Sequence, residues 1–254
     1  MDNLIKKQIM RLPGQSLDEK LFDFVYEKIL SYFLYISITI IFIAEEWSRI
    51  YWKIEPHPVQ ITIVGIFAST YWTYKICKNL KEARKLKQGR DGEREVGQRL
   101  EELRANGCVI FHDILGNGFN VDHIVVSPHG VFTVETKSWS RRDKNETIKF
   151  DGDQLTVNGK HPDRDPIIQS IAQSVWLKNL LKQSTGKEFQ VKSAIVFPGW
   201  YIKPEDRRRV HEKGVWLLNP KALPAFINNE TTILSTEDIN LISFHLTQYI
   251  KTTF

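Results

Sequence analysis

From Ile29 to Ala44 the chain runs ILSYFLYISITIIFIA without a charge, and from Pro56 to Tyr74 it runs PHPVQITIVGIFASTYWTY, again without Lys, Arg, Asp or Glu. A helix needs about 20 apolar residues to cross a hydrocarbon core of roughly 30 Å, so the second run meets the length and the first is short by about one turn. Tilt, local thinning or snorkelling by Lys28 covers that deficit. Tyr32, Tyr35, Trp47, Tyr51, Trp52, Trp72 and Tyr74 fall on or near the run ends, where amphipathic rings favour the headgroup layer. The pattern predicts two transmembrane helices forming a hairpin over residues 29–77, in contact with membrane lipid. The competing arrangement, a hydrophobic helical hairpin packed on a soluble domain, needs a partner surface that the rest of the chain hardly offers.

Beyond Lys75 the periodicity becomes that of a charged α/β sequence. GRDGEREVGQRLEELRANG predicts a helix with Asp91 as N-cap and Gly107 as its stop, its apolar stripe formed by Val96, Leu100 and Leu103, with Glu93 on the same stripe. CVIFHD, VDHIVV and GVFTVETK read as strands, the last two joined by SPHG, and TIKFDGDQLTVNG as a hairpin turning at Asp151 to Asp153. DPIIQSIAQSVWLKNLLKQSTG predicts a long helix stopped by Gly186. VKSAIVFPGW and GVWLLN read as buried strands, and helices near 220–229 and 235–250 finish the chain. Strands on both sides of a long helix imply an α/β domain with a mixed sheet between helices. The chain divides into an N-terminal segment (1–28), the apolar hairpin (29–77), a basic juxtamembrane linker (78–90) and the α/β domain (91–254).

Charge then gives an orientation. Lys6, Lys7, Arg11, Lys20 and Lys28 precede the first run, and Lys75, Lys78, Lys81, Arg84, Lys85, Lys87 and Arg90 follow the second, whereas the loop between has Arg49 and Lys53. The positive-inside bias places both termini and the α/β domain on the cytoplasmic side of the cell (inner) membrane. A polar segment precedes the first run and no small-residue cleavage site follows it, so the expectation is an anchor, not a signal peptide. Cys77 and Cys108 have no CxxC or Cys/His spacing, which argues against zinc or a disulfide framework. The basic run at 75–90 suits anionic lipid first and nucleic acid second.

The chemistry gathers in FNVDHIVVSPHGVFTVETK. If SPHG is a four-residue loop with Val126 opposite Val131, Asp122 falls directly opposite Glu135 on one face of the hairpin. Alternation puts Lys137 on that face, two residues beyond Glu135. Opposed carboxylates in a poorly solvated cleft repel, and a divalent cation removes the conflict. Mg²⁺ is typically held by one or two carboxylates, with water and phosphate oxygens completing its shell. A one-residue slip would move Asp122 to the other face, and an isolated ExK also arises as an exposed ion pair, so spacing alone leaves both readings open. Glu93 on an apolar stripe and Gln169 at the start of the next helix are candidates for the same site; first-turn stabilisation by the helix dipole also accounts for Glu93.

GRDGEREVGQRL, VDHIVVSPHGVFTVETKSW and DPIIQS, followed by the strands VKSAIVFPGW and GVWLLN, together resemble the nuclease-related (NERD) domain, a branch of the PD-(D/E)XK phosphodiesterases, over roughly residues 88–225. The resemblance implies a restriction-endonuclease-like mixed sheet. Asp122 and Glu135 would be metal ligands with the Thr136 carbonyl, Lys137 the catalytic lysine, and Glu93 the helix glutamate of a GxxGE pattern with Gly89 and Gly92. Gln169 would be the family's glutamine. It further implies a Mg²⁺- or Mn²⁺-dependent endonuclease acting on DNA more readily than on RNA, and a membrane tether suggests foreign DNA as its target. A non-catalytic, membrane-tethered module binding nucleic acid or protein is the alternative, since fold does not fix chemistry.

Overall fold

The computed structural model describes residues 11–52, 55, 57–116, 118–141, 143 and 146–253. The predictions made for Lys6, Lys7 and Lys53 fall outside these residues. The described residues form two compact units, one within residues 16–88 and one within residues 89–253 together with residues 11–15.

In the first unit, α1 (Gln15–Phe24) passes through a π turn (Val25–Ile29) into α2 (Leu30–Tyr51), making a continuous helical stretch of 37 residues. Among the described residues this is the one helix long and apolar enough to cross a membrane. The expectation of two such helices is therefore corrected. The second apolar run does form a helix, but Gln60, Thr62, Thr70, Thr73 and several Tyr and Trp residues dilute its apolar character below a spanning segment. Gly65 allows close approach of the two helices: a Cβ there would lie 2.5 Å from Ile43 Cδ1. Tyr35 packs on Trp72, and Trp47 Nε1 donates to Thr62 Oγ1 at 3.0 Å.

That second run opens α3 (Pro58–Glu101), which continues without interruption through the basic residues and the predicted N-cap at Asp91. Asp91 is thus inside a helix. After Pro58 no proline breaks it, and Lys, Glu, Arg, Leu and Ala over 78–88 are good helix formers that carry the ladder past Gly89, Gly92 and Gly97. A 3₁₀ turn (Glu102–Asn106) follows, and Gly107 at φ 79° ends the element as expected.

The second unit holds a five-stranded mixed sheet in the order β1-β2-β3-β6-β7. β1 (Val109–Leu115), β2 (Asn120–Ser127) and β3 (Gly130–Thr136) form an antiparallel meander. β6 (Val191–Val196) adds parallel to β3, and β7 (Val215–Leu218) parallel to β6. β4 (Ile148–Phe150) and β5 (Leu155–Val157) make the expected hairpin, whose turn is fixed by Asp151 Oδ1 accepting from the backbone N–H groups of Asp153 and Gln154. α4 (Pro166–Thr185) has Asp165 as N-cap, with Pro166 at its first position and Gly186 in the left-handed region at its end. α5 (Pro204–His211), α6 (Leu223–Asn228) and α7 (Thr236–Thr253) complete the unit. α5 has no counterpart in the sequence reading, because PEDRRRVH offers too few apolar positions to show a period.

One sheet face packs Val125, Phe132, Val134 and Val196 under Val96 and Leu100 of α3 and Leu103 of the 3₁₀ turn. The other packs Ile124, Val126 and Val131 under Leu177 and Leu181 of α4 and Ile242 and Leu246 of α7. Helices thus cover both faces of the mixed sheet, as the strand and helix order requires. Burying a Leu or Val side chain contributes about 1.5–3 kcal/mol, so these two layers hold the strands in one register.

Candidate functional site

The site begins with the β2–β3 hairpin. His123–Val134, Ile124–Thr133 and Val126–Val131 pair in the register expected from the sequence, but Ser127 also pairs with Gly130, so the connection is a two-residue turn at Pro128 and His129 and not a four-residue loop. Ser127 Oγ donates to Gly130 O at 3.1 Å, and Gly130 takes φ 128°, a value few other residues adopt. The strand register is unaffected, so Asp122 comes to the Glu135 end of β3, where its Oδ2 accepts from Thr136 N at 2.7 Å.

Glu135 is 3% exposed, and its carboxylate is held from three directions. Its Oε1 accepts from Lys137 Nζ at 2.6 Å and from Gln169 Nε2 at 2.7 Å, and its Oε2 accepts from Gln173 Nε2 at 2.6 Å. Gln169 Oε1 in turn accepts from Lys137 Nζ at 2.8 Å. Lys137, Glu135 and Gln169 therefore form a closed triangle, in which two of the lysine's three N–H donors are used. The strand beneath them is anchored by Lys137 N donating to Val196 O at 2.9 Å.

Asp122 is in the opposite situation. Burial, the facing charge of Glu135 and the nearby charge of Glu93 all push its carboxyl well above the usual range, and the Thr136 N–H and Lys137 oppose them in part. Glu93 is therefore close enough for its charge to be felt at Asp122, although it stands on α3. The approach of that helix to the end of β3 depends on Gly92, where a Cβ would lie 1.7 Å from Ser138 Oγ. A buried anion without a counter-charge is costly, and a cation at Asp122 would remove that cost.

Three features bear on whether this donor set fits a divalent metal ion. Asp122, Glu135 and the Thr136 backbone offer the oxygen ligands that hard cations take. Thr136 Oγ1 and Gln173 Oε1 are buried without a hydrogen-bond partner. Against a closed cage, no group of three His, Cys, Asp or Glu side chains suited to a metal is gathered among the described residues, and Glu135 already carries its three donors. The set fits Mg²⁺ or Mn²⁺ held by one or two carboxylates with water and substrate oxygens, and does not fit a fully protein-ligated ion.

Sequence reasoning missed three members of this neighbourhood. Gln173 lies one turn beyond Gln169 on α4 and was legible as a second glutamine at i+4. Asn120 presents its backbone O to Gln173 Nε2 at 2.9 Å and its side-chain Nδ2 to Asp113 Oδ1 at 3.1 Å. Asp113, 2% exposed and at φ 53°, turns its carboxylate to Arg11 Nε at 2.9 Å. That third acid is neutralised by arginine, which separates it from the Asp122–Glu135 pair. Beside it, the buried His112 and His123 approach at 2.9 Å between their Nδ1 atoms, and burial lowers the pKa of both.

Residues 88–198 match the family model of the nuclease-related domain (NERD). No curated protein matches the chain. Among solved structures, protein VC1899 from Vibrio cholerae aligns at 13% identity and a TM-score of 0.30, over 95% of this chain and 58% of that one. This chain thus spans little more than half the length of that protein. Gly89, Gly92, Glu93, Asp122, Glu135, Lys137 and Gln169 all lie inside the segment that matches the nuclease-related domain, residues 88–198.

Proposed function

We propose that the chain is a membrane-anchored, metal-dependent endonuclease that hydrolyses phosphodiester bonds of DNA on the cytoplasmic face of the inner membrane. The observation that carries the reading is the Lys137–Glu135–Gln169 triangle set at the end of the hairpin where Asp122 accepts from Thr136 N, within the segment that matches the nuclease-related domain. Asp122, Glu135 and the Thr136 carbonyl would hold Mg²⁺ or Mn²⁺, with Glu93 contributing directly or through water. The ion supplies positive charge against the phosphate when bound.

The chain's own residues account for the rest. Hydrolysis forms one P–O bond from water as the P–O bond to the leaving sugar oxygen breaks, and negative charge develops on the phosphoryl oxygens. Lys137 keeps one N–H donor beyond the two given to Glu135 and Gln169, and that donor is placed to orient the attacking water or to meet the developing charge. Gln169 fixes the ammonium against Glu135, and Gln173 fixes the carboxylate from its far side. Apolar strands beneath keep these groups rigid.

The membrane part of the proposal rests on the apolar Gln15–Tyr51 stretch and on the exposed apolar residues of the first half of α3, such as Ile63, Val64, Ile66 and Phe67. A helical arm lying in or across the bilayer would bring Lys75 to Arg90 to the cytoplasmic surface. Purified full-length chain in detergent, incubated with supercoiled plasmid, should nick it with Mg²⁺ or Mn²⁺ and stop on chelation. Lys137→Ala should lose at least about 100-fold in rate, the scale of a lost acid–base or charge-stabilising group. Equal cleavage by wild type and variant overturns the proposal.

A further inference from the structure

Beside the edge strand β7, between α5 and α6, lies a cavity of about 350 Å³ that is separate from the acid site. Its floor is aromatic. Trp216 is packed by Phe132 and meets Phe226 edge-on at 5.8 Å between centroids, while Phe226 itself stays 38% exposed. Its rim is cationic, formed by Arg207, Arg208 and His211 of α5.

Basic residues suit the last turn of any helix, but that preference does not specify where their heads go. Of the three consecutive arginines, Arg209 is used internally: its Nη1 donates to Phe150 O at 2.9 Å and its guanidinium lies over the Phe150 ring. The side chains of Arg207, Arg208 and His211 make no hydrogen bond or ion pair among the described residues. The cavity's acid, Glu230, is already bound to Lys192 and does not neutralise them. Uncompensated guanidinium groups around an exposed ring are the chemistry that receives a phosphate together with a flat base. The volume lies in the range of small-ligand clefts, about 300–1,000 Å³.

Leu218 in its wall pairs with Val196, and Val196 pairs with Thr136, so β7 lies two strand spacings, about 10 Å, from β3 along the sheet; Trp216 and Leu218 face the α3 side and Glu135 the α4 side, so a strand of substrate reaching both would pass around the β7 edge. We propose that this cavity is a nucleotide subsite for a single-stranded part of the substrate, with phosphate on Arg207 and Arg208 and a base against Phe226. The proposal rests on the phosphodiesterase reading above. An acidic peptide would satisfy the arginines but leave the exposed ring unused.

The test is fluorescence anisotropy of a labelled single-stranded oligonucleotide with the full-length chain in detergent and chelator, which separates binding from cleavage. R207A/R208A should raise Kd about 10-fold or more, and should reduce the dependence of log K on log salt by roughly 1.4, about 0.7 for each single-strand phosphate that is no longer neutralised. Lys221→Ala with Lys251→Ala, which removes equal charge elsewhere, should change Kd less than twofold. In cleavage assays R207A/R208A should raise KM and leave kcat within about twofold. Unchanged binding by R207A/R208A, an equal loss in the charge control, or loss of binding to phosphatidylserine vesicles in place of the oligonucleotide overturns the subsite. If oligonucleotide binding falls in R207A/R208A while wild type cleaves nothing under any metal, the subsite stands and the nuclease reading fails.

Discussion

Asp122 is the residue whose environment works against its own charge. It faces Glu135 and senses Glu93, and its one backbone donor, Thr136 N, does not offset the repulsion. Replacing it by Asn keeps an acceptor for Thr136 N and removes the charge, so Asp122→Asn should stabilise the metal-free protein by on the order of 1 kcal/mol while abolishing cleavage, the usual trade between stability and a charged site. Thermal melting in chelator and then in Mg²⁺ checks this: wild type should gain stability with Mg²⁺ and the variant should not. An equal Mg²⁺ shift in both would remove Asp122 from the metal site. Much of this geometry was legible beforehand. Hairpin alternation and the short SPHG connection suggested Asp122 opposite Glu135 with Lys137 beside them but left the register open, and the β2–β3 pairing has that register. What was not legible is the hydrogen-bonding that holds Glu135. The i, i+4 spacing of Gln169 and Gln173 places both on one helix face, but Gln173's bond to Glu135 appears only when α4 lies across the sheet. Asp113 was equally hidden, because its partner Arg11 is about a hundred residues away in the chain.

At the scale of elements, the decisive packing is that of α3 on the end of β3. Gly92 is the closest point, with the Ser138 Oγ and Cβ atoms at 1.7 and 2.9 Å from where its Cβ would sit. Ala at a helical Gly gains up to about 1 kcal/mol of helix propensity, but an approach this short must be relieved by moving the helix or the strand end. Gly92→Ala should therefore destabilise by about 1–3 kcal/mol and reduce cleavage by displacing Glu93 and the Lys137 end of β3. Ser138→Gly removes the clashing atoms, so the double variant should recover most of the lost stability in a urea melt. Additive losses would show that Gly92 is needed for something other than this approach. Strand and helix types in the nuclease-related segment were readable because alternation, caps and the stops at Gly107 and Gly186 agree with the tertiary packing. The start of α3 was not, since Asp91 and its neighbouring glycines carry a local cap signal that the preceding good helix formers override. α5 escaped for the opposite reason: its charged sequence has little apolar period, and it is held by Val210 in the core and by Asp206 accepting from Phe150 N at 3.0 Å.

For the whole molecule, the question is what covers the apolar surface of residues 16–88. Phe33, Leu34, Ile40, Ile41 and Phe42 on α2 and Val59, Ile63, Val64, Ile66 and Phe67 on α3 are all exposed, far more contiguous apolar surface than a water-soluble unit leaves bare. On the proposal that lipid covers it, Lys75 to Arg90 would mark the cytoplasmic side, because translocating a dense cluster of Lys and Arg is disfavoured. This sets a test that does not depend on catalysis. A green fluorescent protein fused after Phe254 should fluoresce and an alkaline phosphatase fused at the same point should be inactive, with the chain resisting extraction from membranes at alkaline pH. Replacing Lys78, Lys81, Arg84, Lys85 and Lys87 by Gln should shift the two reporters toward the opposite pattern. Active phosphatase on the unaltered chain would place the nuclease-related domain outside the cytoplasm, away from intracellular DNA, and would leave nucleic acid arriving from outside as the substrate it could meet.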